Sequence, residues 1–312
     1  MARKKYQVML EIGLLAVPLL IAVLCIGIGR YHLSPFESIR ILFSPFTGEA
    51  VDSTAWTVIF NVRLPRIILA LLAGAGLAVA GASFQALFSN PLATPDTLGV
   101  ATGASFGAVL ALLFCQNIFI IQLSALVMGL VALLGTCLIS RVSDKGNIMM
   151  TVLGGIVMSS LFKALVSLVK YLADPEEDLP TITYWLMGSL SRATYKAIIV
   201  GIPLIVFGIV ILFLLRWRLN VLSLPEDEAK ALGIQVKTLR FLVMVSATMV
   251  TAASVSLCGQ IEWIGLVIPH MARMFRGSDN RKVIPTSMTL GAAFLILMDT
   301  LARSATAAEI PV

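Results

Sequence analysis

Arg63 and Arg66 flank Pro65 in the stretch NVRLPRIILALLAGAGLAVAG, and a long run without charge follows them. A guanidinium presents a planar fork of donors that matches a carboxylate bidentately, so two arginines at the mouth of an apolar segment suit recognition of acidic groups. The competing role is an interfacial anchor that holds lipid headgroups. Asp299 and Arg303 are four residues apart, the spacing of an ion pair on one helix face. Lys163 is a cation inside another apolar run, where it either faces a water-filled pathway or snorkels to the interface. Glu11 lies near the start of the first apolar run, at interface depth.

Enzyme chemistry has little to stand on. His270 sits alone beside Pro269 in IGLVIPHMAR, and a lone histidine in such a setting reads as a packed residue satisfying a local carbonyl. There is no HExxH and no Ser/His/Asp spacing. Cys25, Cys115, Cys137 and Cys258 are far apart and form no CxxC, so neither a zinc site nor a disulfide framework is indicated. No GxxxxGK[ST] loop exists, so the chain does not bind ATP by that device.

The elements that must position these residues are apolar. Of 312 residues, 58% are hydrophobic and only 13% charged, and the mean hydropathy is +0.95. A soluble domain carries about 25% charged residues, so the shortfall points to a chain dissolved in a bilayer. The net charge of +6 fits basic loops retained in the cytoplasm better than nucleic-acid binding. MARKK at the N-terminus imitates the start of a signal peptide, but the following run is long for one and reads as a retained first span. Apolar runs place nine spans near 8–29, 64–88, 97–114, 118–140, 149–171, 194–215, 240–258, 263–275 and 285–303. With the N-terminus inside, the larger share of Lys and Arg falls on the inner face. The acidic stretch ADPEEDLP, 173–180, falls outside.

Gly99, Gly103 and Gly107 form a doubled GxxxG, and Gly74, Ala78 and Ala82 repeat the spacing, as close helix packing requires. Such tight packing of many helices suits a channel or transporter. Two loops interrupt the pattern. SNPLATPDTLG, 89–99, carries Pro91 and Pro95. The segment 216–240 is the longest polar stretch on the inner face. Pro225 followed by Glu226, Asp227 and Glu228 reads as a helix start, and Gly233 as its stop, giving a short helix along the cytoplasmic surface.

These motifs together resemble the FecCD-type permeases, the membrane subunits of type II ABC importers for iron–siderophores, haem and vitamin B12. The resemblance starts in RLPRIILALLAGAGLAVAGASFQALFSNPLATPDTLGVATGASFGA and continues through YWLMGSL, EAKALGIQVKTLR, IGLVIPHMARMFRGSDNRKVIP and LMDTLARSATAAEIPV. It implies an all-α polytopic transmembrane bundle forming a single permease domain over 1–312, with nine spans visible of the ten expected and the tenth missing after Val312, as in a truncated sequence or a copy that transports poorly. It implies a homodimer in the bacterial or archaeal cytoplasmic membrane with the N-terminus inside. Two ATP-binding cassette subunits would supply the ATP and magnesium chemistry, with no cofactor in this chain. An extracytoplasmic binding protein would deliver the cargo, an iron chelate first, with haem, cobalamin or molybdate as alternatives. By the same resemblance Arg63, Arg66 and Arg303 match outward-facing arginines that meet acidic residues of the binding protein. Glu228, Ala229, Lys230, Ala231, Leu232 and Gly233 match the ATPase contact, and Ile148 and Met149 an apolar inner gate. Glu262 departs from a glycine common in the family; its carboxylate faces the cavity or pairs with a cation. The competing classes are an ion-coupled carrier working alone and, more remotely, a membrane enzyme using His270.

Overall fold

The structure is a computed structural model that describes residues 2–29, 31–115, 117–141, 148–224 and 226–305, and among these there is no strand. It is a helical bundle. The chain enters through α1 (Ala2–Gly27) and continues into α2 (Pro35–Thr47) and α3 (Ser53–Thr57). A π-helical segment, Val58–Arg63, runs without a break into α4 (Leu64–Leu87). A 3-10 turn, Asp96–Leu98, then leads into α5 (Val100–Phe114), α6 (Ile118–Arg141) and α7 (Ile148–Leu172). Next come α8 (Asp178–Leu186), α9 (Tyr195–Leu215), a 3-10 turn Arg218–Ser223, and α10 (Glu226–Ala231). The last three helices are α11 (Val236–Cys258), α12 (Ile264–Arg276) and α13 (Asn280–Ala305).

Among the described residues, six helical runs are long and apolar enough to cross a membrane: Ser53–Leu87, Ile118–Ser140, Met149–Leu172, Tyr195–Leu215, Val236–Cys258 and Asn280–Ala305. The stretches read from sequence as the third and eighth spans form shorter helices, Val100–Phe114 and the 13-residue α12, and the first falls within the 26-residue α1.

The sequence placed a helix start at Pro65, and the structure moves it to Ser53, capped by Asp52 Oδ2 accepting from the Ala55 N–H at 2.9 Å. Proline inside a helix lacks an N–H and crowds the carbonyl four residues back. The π segment just upstream absorbs that conflict: Leu64 N–H bonds to Ile59 O, five residues back. One carbonyl of the segment, Phe60 O, accepts from Tyr195 Oη at 2.6 Å, which ties α9 to it.

α4 is the central helix, with α9, α11, α12 and α13 packed around it. Small residues set that approach, as their spacing requires. A Cβ on Gly74 would stand 2.3 Å from Gly291 O of α13, so the two backbones touch. Gly103 and Gly107 do the same for α5 against α6, where Ser124 Oγ donates to Gly107 O at 2.7 Å. Gly99 does not belong to that stripe. It caps α5 at φ +74 and abuts Met158 and Ser159 of α7 instead.

Two elements begin deep in the bundle. Ser159 Oγ donates to Asp96 O at 2.9 Å, and Ser159 is about 16 Å along α7 from its first residue at a rise of ~1.5 Å per residue. The 96–98 turn and the start of α5 are therefore at mid-membrane depth. The start of α12 is buried similarly: a Cβ on Gly81 would lie 2.0 Å from Gly265 O, well along α4. Two interrupted helices thus begin inside the bundle with their N-termini facing one cavity.

Candidate functional site

The three arginines singled out by sequence converge, but not on an exposed rim. Arg63, Arg66 and Arg303 are only 3%, 3% and 5% exposed. Arg63 Nη1 donates to Ile26 O at 2.7 Å and Gly27 O at 3.0 Å, and its Nη2 to Tyr31 O at 2.5 Å. Arg303 Nη2 donates to Cys25 O and, at 3.3 Å, to Thr300 Oγ1. The last carbonyls of α1, which no intrahelical donor reaches, are thereby satisfied by two guanidinium groups at the negative end of the helix dipole. Arg66 points the other way, to Asp299 Oδ1, through Nη2 at 2.7 Å and Nε at 3.2 Å. Asp299 Oδ2 also lies 3.9 Å from Arg303 Nε, so the i,i+4 pair exists, but the nearer cation comes from α4.

In the single chain the three guanidinium groups are thus covered by protein. The helix starts ten residues before Arg63, about 15 Å farther out, and the α1–α2 connection closes over the guanidinium groups. Tyr31 fastens that connection, with its carbonyl on Arg63 and its hydroxyl 3.3 Å from Asp52 Oδ2. Beside this end lies a polar cavity of about 670 Å³, lined by Glu177, Asp178, Tyr184 and Arg192 among others.

At the opposite end, the segment after α9 folds as the sequence indicates. α10 covers Glu226–Ala231, and Gly233 at φ +75 ends it. Ile234 N–H bonds to Ala229 O and Gly233 N–H to Lys230 O, the paired bonds of a Schellman stop. Ala229 is buried, whereas Glu228, Lys230, Ala231, Leu232 and Gly233 are exposed, Leu232 at 63%. Pro225 lies outside the described residues, and so do residues 142–147 before α7. Ile148 opens α7, and Met149 is exposed.

The cavity between the interrupted helices measures about 160 Å³ and is lined by Thr94, Asp96, Gln260, Glu262 and Trp263. Glu262, the departure noted from sequence, faces this cavity and accepts from Gln260 Nε2 at 3.0 Å. Asp96 opposes it; sequence reasoning passed over Asp96 because it treated 89–99 only as a helix break. Lys163 is exposed partway along α7. His270 is exposed on α12, and no group of three metal-ligating side chains occurs among the described residues.

Comparison with known proteins agrees with this architecture. Residues 15–312 match the FecCD transport family. The molybdate import system permease protein MolB of Haemophilus influenzae is 40% identical, over 96% of this chain and 89% of that protein. A Helicobacter pylori protein named as a probable iron chelatin transport system permease is 36% identical, over 97% and 92%. A solved chain from a metal-chelate type ABC transporter in an inward-facing conformation superposes with a TM-score of 0.86 at 39% identity, covering 97% of this chain and 92% of that one. An all-α polytopic bundle, with no phosphate-binding loop of its own and matched along nearly its whole length, belongs to the FecCD transport family, as the permease subunit of an ABC importer.

Proposed function

We propose that this chain forms a homodimeric permease that moves an iron chelate inward, with two ATPase subunits on the α10 face and an extracytoplasmic binding protein on the arginine face. The N-terminus is inside in this reading, by the excess of Lys and Arg on that face. Lys163 supports a second copy: a cation exposed partway along a spanning helix is costly against lipid, and a pathway shared with a partner chain relieves that cost. Leu232 and its exposed neighbours on α10 and its stop are the ATPase contact, and Ile148 with Met149 the inner gate. Because Arg63 and Arg303 hold the end of α1 and Arg66 pairs with Asp299, docking through them requires that the binding protein's carboxylates replace these partners, or that they shape the docking surface from beneath.

The observation that carries the choice of cargo is the pair Asp96 and Glu262 across the mid-membrane cavity. Two carboxylates with one cation, Lys163, near Asp96 leave a net negative charge that disfavours a bare oxyanion in a medium of low dielectric, whereas a chelate presents its metal behind an organic shell. A second reading, molybdate, is favoured by the 40% identity to MolB. Uptake by proteoliposomes holding the full complex and its binding protein separates them. Radiolabelled iron chelate accumulating with ATP, undiminished by excess molybdate, supports the first; accumulation of molybdate alone overturns it. ATP-independent uptake by this chain alone would favour an ion-coupled carrier.

A further inference from the structure

At the end of the bundle where α9 and α12 finish and α13 begins lies a further cavity, of about 220 Å³. Three cations rim it, Arg216 on α9, Arg276 on α12 and Arg281 on α13. Its walls are apolar: Leu14 of α1, Phe213 of α9, and Pro285 and Met288 of α13. Arg216 is already oriented. Its Nη1 donates to Phe213 O at 2.7 Å and its guanidinium stacks over the Phe213 ring at 4.0 Å, which fixes the plane and uses one of five donors. Thr286 lines the same cavity at 2% exposure, and its Oγ1 is buried with no hydrogen-bond partner. A buried hydroxyl left so is unfavourable unless a ligand completes it. One acid lies beside this rim: Asp279 Oδ1 accepts from Asn220 Nδ2 at 2.8 Å and from the Arg281 N–H at 3.0 Å, so its one charge sits against the three cations.

We propose that this cavity binds the phosphate headgroup of an anionic phospholipid. Clustered guanidinium groups around an apolar well at a membrane boundary match a phosphate with an acyl chain attached. Phe213 on the cavity wall and Val206, exposed two turns back on the same face of α9, provide an apolar track for that chain. A free phosphate would need the rim but not the track. The inside orientation proposed above bears only on which leaflet supplies the lipid.

The full chain in nanodiscs of phosphatidylglycerol or phosphatidylcholine, released for native mass spectrometry, tests this. Wild type is expected to retain phosphatidylglycerol over phosphatidylcholine. Arg216→Gln and Arg281→Gln are each expected to lower that retention about fivefold. Lys196→Gln, the same charge change at the other end of α9, should leave it intact. Thr286→Val removes an unpartnered hydroxyl, so it should keep the thermal midpoint of the lipid-free chain while weakening retention. That combination separates a ligand contact from a structural role. Equal retention of the two lipids by wild type, or undiminished retention in the Arg216→Gln/Arg281→Gln double variant, would overturn the proposal. So would inorganic phosphate raising the thermal midpoint as far as phosphatidylglycerol does.

Discussion

Arg66 of α4 and Asp299 of α13, 233 positions apart in sequence, meet as a buried ion pair at 2.7 Å. Each is almost wholly out of solvent, and removing one partner strands the other's charge in the bundle. Asp299→Asn or Arg66→Gln is therefore expected to destabilise the chain by roughly 3–5 kcal/mol. The double replacement Arg66→Met with Asp299→Leu should recover much of that loss. Thermal unfolding of the four proteins in one detergent measures it; a double variant no better than the singles would show that the pair does more than neutralise itself.

Gly74 and Gly291 face each other backbone to backbone, with no room for a side chain. Gly74→Val should force α4 and α13 apart and cost at least the ~1–3 kcal/mol typical of overpacking. Gly233→Val differs in kind. Nothing stands within 4 Å of a Cβ there, so only the φ of +75 is strained. Melting temperatures should rank Gly74→Val well below Gly233→Val.

Leu232, exposed on the stop of α10, has little to lose in the isolated chain. Leu232→Asp is expected to shift stability by no more than about 0.5 kcal/mol, as for other surface changes. It should nevertheless reduce co-purification of the ATPase and ATP-driven uptake. Full retention of the ATPase by this variant would remove α10 from the proposed contact.

Asp279 begins the last helix. Burial pushes its carboxyl up, but the Asn220 and Arg281 hydrogen bonds and the charges of Arg281 and Lys282 outweigh that and hold it below the ordinary value of 3.8. A depressed folded-state pKa stabilises the fold above 3.8 and loses that contribution as pH falls through the lower value. Asn220→Ala removes one of the bonds, so its acid unfolding should begin at a higher pH than that of wild type. Circular dichroism across an acid titration reads the difference.

Much of the bundle was legible because its signals are local. Uncharged runs gave the long helices, and small residues at every fourth position gave the faces of α4 and α5 that touch neighbours. Pro225, Glu228 and Gly233 announced α10 through capping chemistry alone, and the helix and its stop formed as that chemistry dictates. The span read near 64–88 begins earlier, at Ser53, because a π turn lets the helix run through Pro65. Nothing in the local pattern says that Arg63 and Arg303 satisfy carbonyls of α1, since those contacts join residues 36 and 278 positions apart. α2 lies between the apolar runs and has no span of its own in the sequence reading, although its capping box is written in Ser34 and Glu37. Gly99 was assigned to a packing stripe for its spacing; its positive φ is a property of the turn it closes.

The π turn also changes what the outer end of α4 can do mechanically. From Ser53 to Leu87 the helical run is 35 residues, about 52 Å, against ~30 Å of hydrocarbon. An upright rod of that length leaves some 20 Å as a handle outside the apolar layer, joined without a hinge to the helix at the centre of the bundle. Torque applied to the handle reaches the 88–99 loop and the start of α5 as rotation of a single stiff body. Tyr195 grips the handle at the wide turn, where a slip of one residue would rotate everything beyond it by about 100°.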